Sequence, residues 1–130
     1  MTALNTIPAL IKKANDSLHA ARVLASERLF DFAVGRACFA MLYVAEAFLL
    51  TDSIVVREPD AIAEAFDRRF GQTGTMPQIF NRWLTEAMRL YPGTDYETET
   101  GITADIVTEQ LNRARAFVAM GREELTGVTR

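Results

Sequence analysis

One histidine, one cysteine and one arginine inside an apolar run are the places in this 130-residue chain where chemistry could begin. His19 would have to anchor any Ser–His–Asp arrangement, and nothing in its neighbourhood supports one. It lies beside an apolar stripe and reads as a surface or boundary residue. Cys38, set among Ala37, Phe39 and Ala40, reads as a small core residue. A reactive thiol needs an electropositive, partly open setting, and Arg36 is the only nearby hint of one. A single cysteine excludes an internal disulfide, and one cysteine with one histidine excludes a Cys/His metal site. Paired Glu-x-x-His motifs, which a di-iron bundle needs, are absent. Asp95, Glu97 and Glu99 form an acidic stretch that reads as a solvated turn, with a hard-cation or basic-partner site as the alternative. Gly71, Gly74 and Gly93 do not form a phosphate-cradling loop. Arg36 stands out because a guanidinium among apolar residues needs a partner or a ligand. Glu46, ten residues on, would be about 15 Å away along a helix, too far for contact.

The elements that carry these residues read as helices. Ile7, Ile11, Ala14, Leu18, Ala21 and Ala25 recur every three or four positions and predict a helix over about 7–25. Asp31 is placed to cap a second helix running to about Thr51, apolar nearly all round. Its small residues Ala33, Gly35, Ala37 and Ala40 would let neighbours approach closely. Pro59 opens a third helix with Ile62, Phe66 and Phe70 on one face, and Gly71 is its expected stop. Pro77 opens a fourth, with Met76, Phe80, Trp83, Leu84, Ala87 and Tyr91 on one face, and Pro92-Gly93 is expected to end it. Residues 94–101 read as a loop. Thr103 is the expected cap of a last helix carrying Val107, Leu111, Ala114, Val118 and Leu125. No strand-like alternation or repeat appears. The expectation is all-α: one domain over 1–130, an antiparallel bundle of about five helices.

With 49% hydrophobic residues the chain can bury a core without disulfides or metal. Phe32 to Leu50 approaches the length that spans a bilayer, but Arg36 and Glu46 would be costly there, and amphipathic helices on either side need an apolar partner. It reads as the central helix of a bundle, without a signal peptide or membrane span, in a cytoplasmic protein. The net charge is −3. Residues 1–91 hold ten Lys/Arg against ten Asp/Glu, and residues 92–130 four against seven, so the acidic excess lies late in the chain. That argues against strong nonspecific binding to duplex nucleic acid and leaves room for a local arginine patch.

The segment Asp31-Phe32-Ala33-Val34-Gly35-Arg36-Ala37-Cys38-Phe39-Ala40-Met41 resembles the HEPN domain (higher eukaryotes and prokaryotes nucleotide-binding), more narrowly its small stand-alone bacterial and archaeal members. Those often show Arg-Ala-Tyr-Tyr-Ala-Met here, and Cys38-Phe39 replaces the two tyrosines. Ala65-Phe66 through Phe70, the turn from Gly74 to Phe80, the pair Asp95-Tyr96 and the alanine-rich last helix follow in the family's order. The resemblance spans about Ala14 to Leu125. It implies a helical bundle, commonly a homodimer, associated with RNA or a nucleotide, with no cofactor or metal. Many members are ribonuclease toxins paired with a small nucleotidyltransferase antitoxin.

The family's ribonuclease signature is an arginine followed four to six residues later by a histidine. The histidine moves a proton and the arginine neutralises the scissile phosphate. No arginine precedes His19 in this chain. A histidine often found before the third helix is replaced at about Pro59, and an arginine before the Asp-Tyr pair at about Tyr91. Arg36, Asp95 and Tyr96 remain as candidate site residues, with Arg36 expected to pair with Asp95 and Tyr96 alongside. The expected function is a non-catalytic or degenerate HEPN protein that binds RNA, a nucleotide or a protein partner, with half of a toxin–antitoxin pair as its setting. The alternatives are an active metal-independent ribonuclease toxin and a structural interaction protein. A homodimer is expected from Phe30, Phe32, Leu42, Tyr43, Leu49 and Leu50, which fall off the internal stripe of the second helix and would form an exposed patch.

Overall fold

The Thr6 hydroxyl accepts from the Ala9 amide at 3.2 Å and starts α1, Ile7–Ser26. The computed structural model describes residues 5–125, except the side chains of Asp95 and Tyr96, and every regular element among them is helical. Ala14, Leu18 and Ala21 are buried as the spacing predicts, and Leu10 and Ser17 join them. Arg28 turns the chain with φ 61°, a left-handed conformation, and α2, Phe30–Thr51, runs back antiparallel against α1. Asp31 does not cap α2. Leu29 holds that position, and Asp31 sits in the first turn, where its carboxylate accepts from the Thr100 hydroxyl at 2.6 Å. Its charge still favours the positive end of the helix, but the side chain is spent tying down the loop before the last helix.

α2 is the axis of the fold and packs against all the other helices. Its length and composition would suit a bilayer, yet 78% of its apolar window is buried by the chain itself. Leu42 and Leu49, expected at an exposed patch, are 1% and 0% exposed. Burying each is worth about 1.5–3 kcal/mol, so both belong to the core. Of the six residues assigned to that patch only Phe32, at 57%, is largely exposed. A contiguous apolar face on α2 is therefore not present.

α3 spans Pro59–Phe66, and the chain then widens into a π turn, Asp67–Gly71, so the helical run ends at the expected Gly71 but in π rather than α geometry. The Gln72 amide donates to the Asp67 carbonyl at 2.8 Å and closes it. α4 covers Gln78–Tyr96 and continues through Pro92-Gly93. Proline forfeits a backbone hydrogen bond there. Past the proline the last turn is held by the Thr94 hydroxyl, which donates to the Tyr91 carbonyl at 2.6 Å, by the Glu97 amide, which reaches the Gly93 carbonyl at 3.0 Å, and by the packing of Thr94, 4% exposed. Thr103 accepts from the Ile106 amide at 3.2 Å and caps α5, Ala104–Leu125, as expected. α5 meets α2 closely at Gly121, where a Cβ would lie 2.5 Å from a Val44 methyl. Phe66 stacks with Phe70 and Phe117 at centroid distances of 5.3 and 5.8 Å, joining α3 and α5 in the core.

Candidate functional site

The middle of α2 brings three of its features together. Ser17 on α1 donates its hydroxyl to the Arg36 carbonyl at 2.7 Å and fixes α1 against α2 at that level. The Arg36 side chain is half-buried, and its guanidinium lies 4.6 Å from the centre of the Phe39 ring. Phe39 meets Tyr91 of α4 edge-on at 5.1 Å and Tyr43 at 6.0 Å. A cation on an aromatic face gains about 0.5–2 kcal/mol, depending on desolvation. A guanidinium beside an aromatic ring can still offer its N–H donors to an anion such as a phosphate. Among the described residues Arg36 makes no ion pair.

Cys38 turns into the core. It is fully buried, 3.7 Å from the Met88 sulfur, and desolvation pushes its thiol up to about 12 although the Arg36 charge pulls the other way. The thiol is therefore inert at neutral pH, in keeping with a small core residue. His19 is exposed. It stands two residues after Ser17, about 200° round α1 from the side chain that faces Arg36, so the two cannot converge.

Gly35 packs against Thr94, with the position of a Cβ 3.3 Å from the Thr94 hydroxyl. This contact sets the last turn of α4, whose backbone includes Asp95 and Tyr96, beside the residue preceding Arg36. The expected Arg36–Asp95 pair, with Tyr96 alongside, involves side chains outside the described residues. Glu97 and Glu99 are exposed, and among the described residues no three Asp, Glu, His or Cys side chains converge.

Sequence reading missed a second polar surface, an open groove of about 420 Å³ between the π turn and α4. Gln78, Arg82, Thr85 and Arg89 line it. Their spacing of four, three and four was a legible signal of one helix face, but the π turn that forms the opposite wall has no sequence signature.

The HEPN domain family model matches residues 7–125. A Gloeobacter violaceus protein named "UPF0332 protein glr0978" is 37% identical over 87 residues, 67% of this chain and 69% of its own. Two proteins of Methanocaldococcus jannaschii also match. "Putative toxin MJ0605" is 32% identical over 93 residues, covering 72% of this chain and 69% of its own. "Putative toxin MJ0142" is 28% identical over 109 residues, covering 84% and 74%.

Proposed function

The chain belongs to the HEPN domain family, and from that premise we propose that it is an RNA-binding member of a toxin–antitoxin-type pair that does not use histidine chemistry. The toxin names of two relatives support the biological setting. The observation that carries the chemistry is Arg36, stacked on Phe39 and without an ion pair among the described residues, while the single histidine faces away on α1. Metal-independent RNA cleavage needs a group to take the 2′-hydroxyl proton and a cation to neutralise the phosphate. Arg36 supplies the cation. A guanidinium serves in proteins as a phosphate binder rather than a proton carrier. On this reading Arg36 binds and orients a phosphate without cleaving beside it.

The reading includes a cytoplasmic location, where RNA would be met, and a small nucleotidyltransferase as antitoxin. It also includes a homodimer, for which Val23, Leu29, Phe32 and Val55 are exposed apolar residues. Binding of a labelled single-stranded RNA tests the role of Arg36. Arg36→Ala should weaken binding about tenfold, the scale of one charge-assisted contact. Arg36→Lys should recover little, since it keeps the charge and loses the planar fork. Unchanged binding in both variants, with the fold intact, would refute the assignment.

One observation favours a second reading. The Gly35–Thr94 contact sets the backbone of the Asp95-Tyr96 turn beside α2, so an active ribonuclease would draw its proton carrier from that pair. Metal-independent cleavage lost in Asp95→Asn or Tyr96→Phe, and kept in His19→Ala, would select this alternative.

A further inference from the structure

The groove between the π turn and α4 has its own charge logic. Two acidic side chains line it, and both are engaged. The Asp67 carboxylate accepts from the Asn81 amide at 2.7 Å and from the Gln72 amide at 2.9 Å. Glu86 is bound by Arg113 of α5, which also reaches Glu109 at 3.4 Å. The two cations, Arg82 and Arg89, are exposed and make no ion pair among the described residues. The groove thus presents two unpartnered cations beside an Asp67 carboxylate that is hydrogen-bonded but still charged and a Glu86 carboxylate paired with Arg113. Its floor is Gly71, where a Cβ would fall 2.7 Å from Asn81 Cγ and 2.9 Å from an Asp67 carboxylate oxygen. Glycine at this position is what lets the π turn and α4 approach closely enough for the Asp67–Asn81 clamp to form.

We propose that this groove binds the backbone of single-stranded RNA, with Arg82 and Arg89 each on a phosphate. The ligand class rests on the RNA reading above, whereas the site rests on its own geometry. Seven residues separate the arginines, about 10 Å along α4, which suits two phosphates of one strand rather than a single anion. The volume of about 420 Å³ falls within the roughly 300–1,000 Å³ of ligand sites. Gln78 flanks the groove with an amide that both donates and accepts, the kind of group that meets the exposed base edges of an unpaired strand.

The test is fluorescence anisotropy of a short labelled single-stranded RNA against the full chain at several salt concentrations. Arg82→Ala with Arg89→Ala should weaken binding about tenfold or more and flatten the slope of log affinity against log salt by about 1.4, near 0.7 per lost phosphate contact on a single strand. Arg82→Lys with Arg89→Lys should keep most of that slope. Arg22→Ala with Arg115→Ala removes the same charge from exposed positions on α1 and α5 and should change affinity less than about twofold. All four arginines are exposed, so the melting curves should stay close to that of the parent. Binding retained in the groove variant, or lost equally in the α1/α5 variant, overturns the groove and leaves the RNA reading standing. Binding lost in the groove variant and unchanged in Arg36→Ala supports the groove and removes Arg36 from the site. A parent chain that binds no RNA at low salt overturns both.

Discussion

Arg36 lies over the Phe39 ring, half-buried, at a level of α2 held from one side by Ser17 and from the other by Thr94. Arg82 and Arg89 stand exposed along α4, above acids already engaged by other side chains. The first arginine is positioned by the core, so its geometry is only as good as the packing beneath it. The second pair is positioned by one helix face and a clamp, so it can be removed with little cost to the fold. Stability and RNA binding should therefore move together at Arg36 and separately at the groove.

The largest expected effect breaks the core-built side. Phe39→Ala removes the ring under Arg36 and the edge contact with Tyr91, and should cost about 2–4 kcal/mol in chemical denaturation. A loss below about 1 kcal/mol would mean that the cluster is not packed as described.

Cys38 sharpens the same side through pH. Burial raises its thiol from the ordinary 9.0 to about 12, so the folded chain holds that proton more tightly than the unfolded one. This contribution to stability is complete below about pH 9 and is lost as pH climbs towards about 12. Denaturation across that range should show the decline, and Cys38→Ala should flatten it. A decline of equal size in that variant would assign it to other groups.

On the groove side, Gly71→Ala places a methyl group against Asn81 and Asp67. It should cost about 1–2 kcal/mol by overpacking and weaken RNA binding at the groove, leaving the Phe39–Tyr91 side intact. Arg82→Ala with Arg89→Ala is the smallest effect on the fold, within about 0.5 kcal/mol. A larger loss in thermal denaturation would show that the arginines are tied into the structure after all.

Much of this architecture was legible before any coordinates. The three-and-four spacing of Ala14, Leu18 and Ala21 marked the buried face of α1, Thr103 marked the start of α5, and the apolar run of α2 marked the central helix. The misreadings share a physical reason: tertiary contacts overrode local signals. Pro92-Gly93 does not end α4, because Thr94 is wedged against Gly35 and its hydroxyl caps the Tyr91 carbonyl. Asp31 does not cap α2, because Thr100 claims its carboxylate. Leu42 and Leu49 are not on an outer face, because α2 has neighbours on most sides. At the candidate site, Arg36 was visible as a charge in an apolar run, but its aromatic seat was not. Phe39 follows it by three positions, a spacing shared by many pairs that never touch. The groove was hidden for a different reason: its walls come from α4 and from a π turn that neither composition nor periodicity announces.

On the proposed function, this HEPN chain handles RNA through arginine and without histidine. Incubation of the parent chain, His19→Ala and Arg36→Ala with single-stranded RNA in the presence of a chelator tests it most directly, with bound and cleaved RNA read from the same samples. The parent should bind RNA without cutting it, His19→Ala should behave identically, and Arg36→Ala should lose binding by about tenfold. Cleavage by the parent that disappears in a correctly folded His19→Ala would contradict it.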